Sequence, residues 1–244
     1  MKPARIAALL SPFLPAPLAE GQLCAIAAYL DILLRWNARM NLTAVRDPEH
    51  IVTRHFGESL FAAAQLLEPP SSLRAIDVGS GAGFPGLPLK IYAPALRLTL
   101  IESQNKKVTF LREIVRTLAL REVEVFGGRA EDYLAVKRGT AFRAEEEEAA
   151  ADSSGIADRA RADLVTLRAV ESFESVLPIA ASLLRRSTDL PSPASPGAAR
   201  LALLIGATQA PRARDLLRML SWDSTIPIPQ SSARVLLIGR VVSR

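Results

Sequence analysis

Residues Asp77-Val-Gly79-Ser-Gly81-Ala-Gly83-Phe-Pro-Gly86 overlap and continue the apolar run Arg74-Ala-Ile-Asp-Val-Gly79. A short apolar run that stops in glycines reads as a buried strand leaving its sheet through a tight turn. Glycines at that point let the backbone turn sharply and approach a ligand with no Cβ in the way. The carboxyl end of a strand in a parallel sheet is also where such sheets bind nucleotides. This one segment therefore predicts both a fold class and a binding site.

The rest of the chain keeps the same rhythm. Further strands are expected at Arg97-Leu-Thr-Leu-Ile-Glu102, Val123-Glu-Val-Phe126, Ala162-Asp-Leu-Val-Thr-Leu167, Leu201-Ala-Leu-Leu-Ile205 and Val235-Leu-Leu-Ile238. Between them, Pro88 to Tyr92 allows only a short helix. Asn105 to Leu120 places Val108, Leu111, Ile114, Val115 and Leu118 on one face, with Lys106, Lys107, Arg112 and Arg116 left for solvent. Helical patterns recur at Ser172 to Leu184 and Pro211 to Leu220. Strands alternating with helices imply a mainly parallel sheet covered on both faces. Upstream, Leu23, Ile26, Ala27, Leu30, Leu33 and Leu34 repeat at helical spacing across Leu18 to Trp36. A turn-rich stretch from Asn37 to Pro48 follows, with Asp47-Pro48 as a cap and first helical position. A second helix is expected from about Glu49 to Leu67, stopped by Pro69-Pro70. Two segments break the rhythm: Arg143 to Arg161, with the run Glu145-Glu-Glu-Glu148, reads as a solvated insertion, and Ser187 to Ala199, rich in Ser and Pro, as a loop.

Composition narrows the function classes. A chain of 244 residues suits one α/β domain with an appendage. Cys24 is the only cysteine, so an internal disulfide and a cysteine zinc site are excluded, and no metal is expected. The apolar run Ile6 to Leu10 is too short to span a bilayer or to serve as a secretory signal, and nothing downstream reaches a spanning length. A cytoplasmic protein without a membrane partner is expected. A net charge of +5 favours an anionic partner, of which nucleic acid is the commonest.

The glycine loop admits two cofactor classes. Gly81 to Gly86 spells G-x-G-x-x-G, with Glu102 closing the next strand, as a dinucleotide site would require. In that fingerprint the last glycine opens a long helix over a pyrophosphate, whereas Pro85 and Pro88 interrupt the opening turn here. Asp77, two positions before the first glycine, is not part of the dinucleotide pattern either. S-adenosylmethionine carries no phosphate, and an acid at Asp77 can help hold its ammonium side, directly or through water. Glu102 can accept from both ribose hydroxyls in either class. The loop therefore favours S-adenosylmethionine, with an NAD-dependent oxidoreductase as the rival.

Several motifs in fixed order sharpen this. Trp36-Asn-Ala-Arg-Met-Asn-Leu-Thr43, Ile51-Val-Thr-Arg-His-Phe-Gly-Glu-Ser-Leu60, the glycine loop, Lys106-Lys-Val-Thr-Phe-Leu111, Arg129-Ala-Glu131 and Leu164-Val-Thr-Leu-Arg-Ala169 together resemble the RsmG family, also called GidB. The likeness covers roughly Tyr29 to Leu184. It implies a Rossmann-like, seven-stranded, mainly parallel methyltransferase sheet (residues 51–244) with an N-terminal helical extension (residues 1–50). It also implies a cytoplasmic enzyme that transfers a methyl group from S-adenosylmethionine to the N7 of a guanine in 16S ribosomal RNA, on the RNA or a small-subunit precursor. By motif it places Gly79, Gly81 and Phe84 in the cofactor loop, Glu102 and Ser103 at the ribose, Ala130 and Glu131 beside the adenine, and Arg168 at the mouth of the cofactor pocket as a further cofactor-binding residue that can also position the acceptor.

Guanine N7 has a free lone pair, so no general base is assigned. His55 is expected to pack beside the sheet and orient the substrate face, with His50 nearby. Asn41 either caps a turn or contacts RNA. Two departures stand out: Ile205-Gly206 where the family usually has Lys-Gly after the fifth strand, and the acidic insertion. A methyltransferase for a small molecule or protein, and a non-catalytic RNA-binding protein, are the remaining rivals.

Overall fold

The computed structural model describes residues 1–137, 161–168, 173–185 and 198–242. The acidic run Glu145 to Glu148, most of the Ser- and Pro-rich stretch and Ala169 lie outside the described residues. Five strands run parallel in register: β1 (Arg74–Val78), β2 (Arg97–Glu102), β3 (Val123–Gly127), β4 (Leu164–Arg168) and β5 (Arg200–Gly206). Then β6 (Leu220–Trp222), β7 (Ile226–Pro227) and β8 (Arg234–Val241) complete the sheet, β8 antiparallel to β5. The hydrogen-bonded order is β3-β2-β1-β4-β5-β8-β6, with β7 also paired to β8. Seven strands form the path, as expected, and the eighth is a two-residue pairing that periodicity cannot register. The strand order reverses between β1 and β4, which is where a doubly wound sheet opens a crevice at its carboxyl edge.

Before the sheet come α1 (Pro3–Leu10), α2 (Glu20–Asn37), α3 (Pro48–Ile51) and α4 (Glu58–Leu66), with a π-helical turn at Val52–Gly57 joining the last two. The expected helix over 49–67 is thus present with one wide turn in its middle. Asp47 accepts from the His50 backbone N–H at 2.8 Å, as an N-cap should. The helix α1 was not expected: Ile6 and Leu10, four apart and buried, give it one apolar face. Buried residues of α1, α2 and α4 share a single core with Leu98 and Leu100 of β2 and with Leu204 of β5. The N-terminal helices therefore form one wall of the sheet's own core.

Downstream lie α5 (Gly86–Tyr92), α6 (Asn105–Thr117), α7 (Ala130–Lys137), α8 (Phe173–Ser182) and α9 (Ala210–Leu216). The helix expected to reach Leu220 stops at Leu216. Leu220 instead pairs with Val241 of β8, because a buried strand position at the sheet edge outweighs a weak helical pattern. Among the described residues, no helix is long and apolar enough to cross a membrane.

Candidate functional site

Between β1 and α5 the backbone passes through three left-handed glycines, Gly79 (φ 68°), Gly81 (φ 58°) and Gly83 (φ 88°). Side chains rarely adopt that region, so the loop depends on glycine there. Hydrogen bonds from Gly79 and Ser80 N–H to the Ile101 carbonyl tie the loop to β2. Pro88 sits in the first turn of α5, where a missing N–H costs nothing, so the prolines shorten the helix without breaking it. The Phe84–Pro85 bond is cis.

A cavity of about 630 Å³ opens over this loop, within the usual range for a small-molecule site. Gly79, Gly81, Phe84, Glu102, Ser103, Ala130, Glu131 and Arg168 all line it. They arrive from the ends of β1, β2 and β4 and from the start of α7, so the parallel register brings together residues up to ninety positions apart. Glu102 is buried and its two carboxylate oxygens are already oriented: one accepts from the Gly81 N–H and the other from the Gln104 N–H, both at 2.8 Å. Each oxygen keeps a second lone pair for a ligand.

Of the two ways expected for Asp77 to serve an ammonium, the direct one is not open to it. It is fully buried beneath the loop, with Oδ1 accepting from Thr166 Oγ at 2.7 Å and Oδ2 from the Gly86 N–H at 3.2 Å. Its strand direction turns it away from the cavity, so it braces the loop and does not meet a ligand's ammonium directly. Burial raises its pKa to about 6, against the lowering pull of those hydrogen bonds and of Arg168.

The opposite wall is built on Arg168. Its Nη2 donates to the Arg54 carbonyl (2.9 Å), to His55 Nδ1 (2.9 Å) and to Glu58 Oε2 (3.0 Å). The guanidinium carbon lies 5.8 Å from the Phe84 ring centre. The cost of burying this arginine is thus offset by a carboxylate partner, Glu58, itself only 3 % exposed. Glu58 serves a second cation, since Arg234 Nε lies 3.0 Å from the same Oε2. His55 Nε2 is 2.7 Å from Thr43 Oγ, and the ring stands 5.1 Å from Phe84. Burial, then the neighbouring Arg168, Arg54 and Arg234, lower the His55 pKa to about 3. The imidazole is a neutral, clamped wall of the cavity, in keeping with the packing role expected for it. His50 sits on the surface near Asp47, away from the cavity lining.

Several working residues escaped sequence reading. Asn37, not Asn41, holds the turn before Thr43, its Oδ1 accepting from the Leu42 and Thr43 N–H groups at 2.9 and 3.0 Å. Asn41 is exposed and accepts from Arg46. Tyr29 of α2 donates to the Ala82 carbonyl inside the glycine loop and stacks on Phe84 with ring centres 5.4 Å apart. Glu58 and Arg234 carried no signal beyond their place in the matched motif and at the start of a strand. The His55-x-x-Glu58 spacing, which puts both on one helical face, was the available clue.

Comparison with known proteins places the chain in a family. The family model described as rRNA small subunit methyltransferase G matches residues 22–190. The ribosomal RNA small subunit methyltransferase G of Roseiflexus sp. (strain RS-1) is 53% identical over 112 residues, 46% of this chain and 47% of that protein. The protein of the same name from Chloroflexus aggregans is 38% identical over 169 residues, 69% of this chain and 62% of its own length. The chain spans about half the length of the first curated relatives it matches, 47% in two cases. Among solved structures, the O-methyltransferase from Bacillus cereus in complex with SAH superposes with a TM-score of 0.55 at 15% identity, covering 98% of this chain and all of that one. That likeness establishes the methyltransferase fold. With the family model matched across most of the chain, this protein belongs to the rRNA small subunit methyltransferase G (GidB) family.

Proposed function

We propose that the chain methylates N7 of a guanine in 16S ribosomal RNA, using S-adenosylmethionine, in the cytoplasm and on the RNA or an assembling small subunit. The observation that carries this is the convergence on one cavity of a pre-oriented acid, Glu102, and a clamped arginine, Arg168. What supports the cofactor here is that the left-handed Gly79 and Gly81 keep side chains off the loop backbone and that Glu102 keeps lone pairs able to accept from ribose hydroxyls. When bound, S-adenosylmethionine supplies an electrophilic methyl group on its sulfonium.

On this reading Gly79, Gly81 and Phe84 seat the amino-acid and sulfonium part, Glu102 and Ser103 the ribose, and Ala130 and Glu131 the adenine. Arg168 closes the pocket where cofactor and acceptor meet. Residues 1–50 act as the extension whose Tyr29 steadies the loop. No side chain has to remove a proton from the acceptor, because N7 offers its lone pair in the neutral base. His55, held neutral, contributes shape and exclusion of water. Catalysis then rests on alignment of acceptor and methyl group. Mapping 7-methylguanosine in 16S ribosomal RNA with and without the gene tests the whole proposal. An unchanged pattern of that modification overturns it.

A further inference from the structure

We infer that Arg168 and Arg234, both paired to Glu58, form with the exposed Arg54 at their rim a seat for a phosphate group of the acceptor strand, on the acceptor side of the boundary that Arg168 marks with the cofactor. The inference rests on the methyltransferase reading of this cavity and specifies how its acceptor is held. All three arginines line the cavity. The shared counter-charge of Arg168 and Arg234 is one carboxylate, Glu58, whose Oε2 lies 3.0 Å from both Arg168 Nη2 and Arg234 Nε. Asp77 and Glu102 bond to Thr166, Gly86, Gly81 and Gln104, and no ion pair of either with these arginines is found among the described residues. Arg168 and Arg234, both largely desolvated, share the one carboxylate of Glu58, which leaves one uncompensated positive charge in the wall, and Arg54 adds an exposed cation at its rim; buried charges of that kind are normally matched by a partner.

A second observation points the same way. The Nε–H groups of Arg168 and Arg234 are buried yet make no hydrogen bond among the described residues. The Arg168 side chain is only 7% exposed. For Arg234 the nearby Glu58 oxygen is close but out of line for a hydrogen bond. Both cations are fixed, Arg168 by the Arg54 carbonyl and Arg234 by the Leu204 carbonyl at 3.3 Å, so the donors are held in place before a ligand arrives. Mutual repulsion is felt in the site: Arg234 and Arg54 both push the Arg168 pKa down, after burial itself. An anion relieves that repulsion. S-adenosylmethionine cannot supply the balance, because its sulfonium leaves it with a net positive charge. A phosphodiester of the acceptor strand, with acceptor oxygens and one negative charge, matches both the charge and the idle donors.

The test uses the full chain with Arg234→Gln and, since that residue is part-buried, the exposed Arg54→Gln as a second variant. Three quantities are read: affinity for a short single-stranded RNA containing one guanine across a salt series, calorimetric affinity for S-adenosylmethionine, and the rise in melting temperature with inorganic phosphate at constant ionic strength. The expected result is a salt slope shallower by about 0.7 in each variant, one phosphate contact on a single strand. Cofactor affinity stays at the wild-type value, and the phosphate-dependent rise in melting temperature shrinks. If cofactor affinity falls while the salt slope holds, the seat takes the cofactor's carboxylate and the inference is overturned. Unchanged slope and unchanged phosphate response overturn it as well. If the chain binds neither RNA nor cofactor but the variants still abolish the phosphate response, the seat stands and the methyltransferase reading falls.

Discussion

Arg168 donates from Nη2 to His55 Nδ1 across 2.9 Å, which fixes the imidazole as the tautomer carrying its proton on Nε2. That proton is then given to Thr43 Oγ at 2.7 Å, while the same hydroxyl oxygen accepts from the Val45 N–H at 3.1 Å. A second proton on the ring would have to enter at Nδ1, against a guanidinium, so protonation breaks the clamp.

The first prediction concerns stability against pH, where His55 and Asp77 act in opposite senses. For His55 the folded pKa is about 3 and the ordinary value 6.5, so between these only the unfolded chain takes the proton. Stability is lost as pH falls through that window, by up to about 1.4 kcal/mol per pH unit. For Asp77 the folded value is about 6 against an ordinary 3.8, so between these only the folded chain takes the proton. Stability is gained as pH falls from 6 towards 4. In urea unfolding between pH 4 and 6, His55→Gln should therefore gain stability relative to wild type as pH falls. Asp77→Asn should lose it over the same range. Difference curves of the same sign for the two variants would contradict the opposed environments of the two side chains.

The balance between these two groups also shows what sequence can reveal. Gly79 to Gly86 and Glu102 were legible because a strand followed by glycines has one physical meaning, and because an acid at the next strand end must fall beside it in a parallel sheet. For Asp77 the sequence left direct and water-mediated contact open, because the side its side chain takes along β1 could be known only once Thr166 of β4 was in register beside it. Glu58 and Arg234 are 176 positions apart in sequence, and no local pattern links a helix start to the start of the antiparallel strand β8. β6 and β7 were missed for a related reason: their three and two residues are set by pairing to β8, not by periodicity.

Tyr29 provides the second prediction. Its hydroxyl donates to the Ala82 carbonyl within the glycine loop, and burial raises its pKa well above the ordinary tyrosine value, so it remains a donor at any working pH. Tyr29→Phe keeps the stacking on Phe84 but strands a buried carbonyl, at a cost of about 1–3 kcal/mol. The loss should appear both in chemical unfolding and as weaker S-adenosylmethionine binding by calorimetry, because the loop itself is loosened. Weakened stability with cofactor affinity intact would mean that the α2 contact supports the core alone.

The third prediction separates charge from shape at Glu102. Replacing it by Gln keeps the size but places an amide donor opposite one of two backbone N–H groups, those of Gly81 and Gln104. Hydrogen bonds to a charged acceptor contribute about 1.5–3 kcal/mol. Loss of one, together with a ribose contact, should weaken S-adenosylmethionine binding by about tenfold or more, while Glu131→Gln, at an exposed position, should do far less. Equal affinities for wild type and Glu102→Gln in calorimetry would remove the ribose assignment.

The last prediction addresses the reaction itself. A general base typically contributes a hundredfold or more and reveals itself as a limb in the pH–rate profile. His55 has its Nδ1 lone pair occupied by Arg168 and stays neutral from about pH 4 upward, so it has no titration to show near neutrality. Asp77 titrates near 6, yet it lies beneath the loop with both oxygens engaged, and its protonation acts on loop stability instead of on the acceptor. The single-turnover rate at saturating cofactor should therefore be flat from roughly pH 6.5 to 9, the span in which a histidine base would titrate. Any fall below pH 6 should follow Asp77 and vanish in Asp77→Asn, whereas His55→Gln should leave the shape of the profile unchanged and lower its height only modestly. Arg168→Ala should lower the whole curve much further, because it removes at once the clamp on His55, the partner of Glu58 and the cation over Phe84. An acidic limb that disappears with His55 would instead mark that imidazole as a base and point to an acceptor that must lose a proton, an exocyclic amine or a hydroxyl, in place of guanine N7.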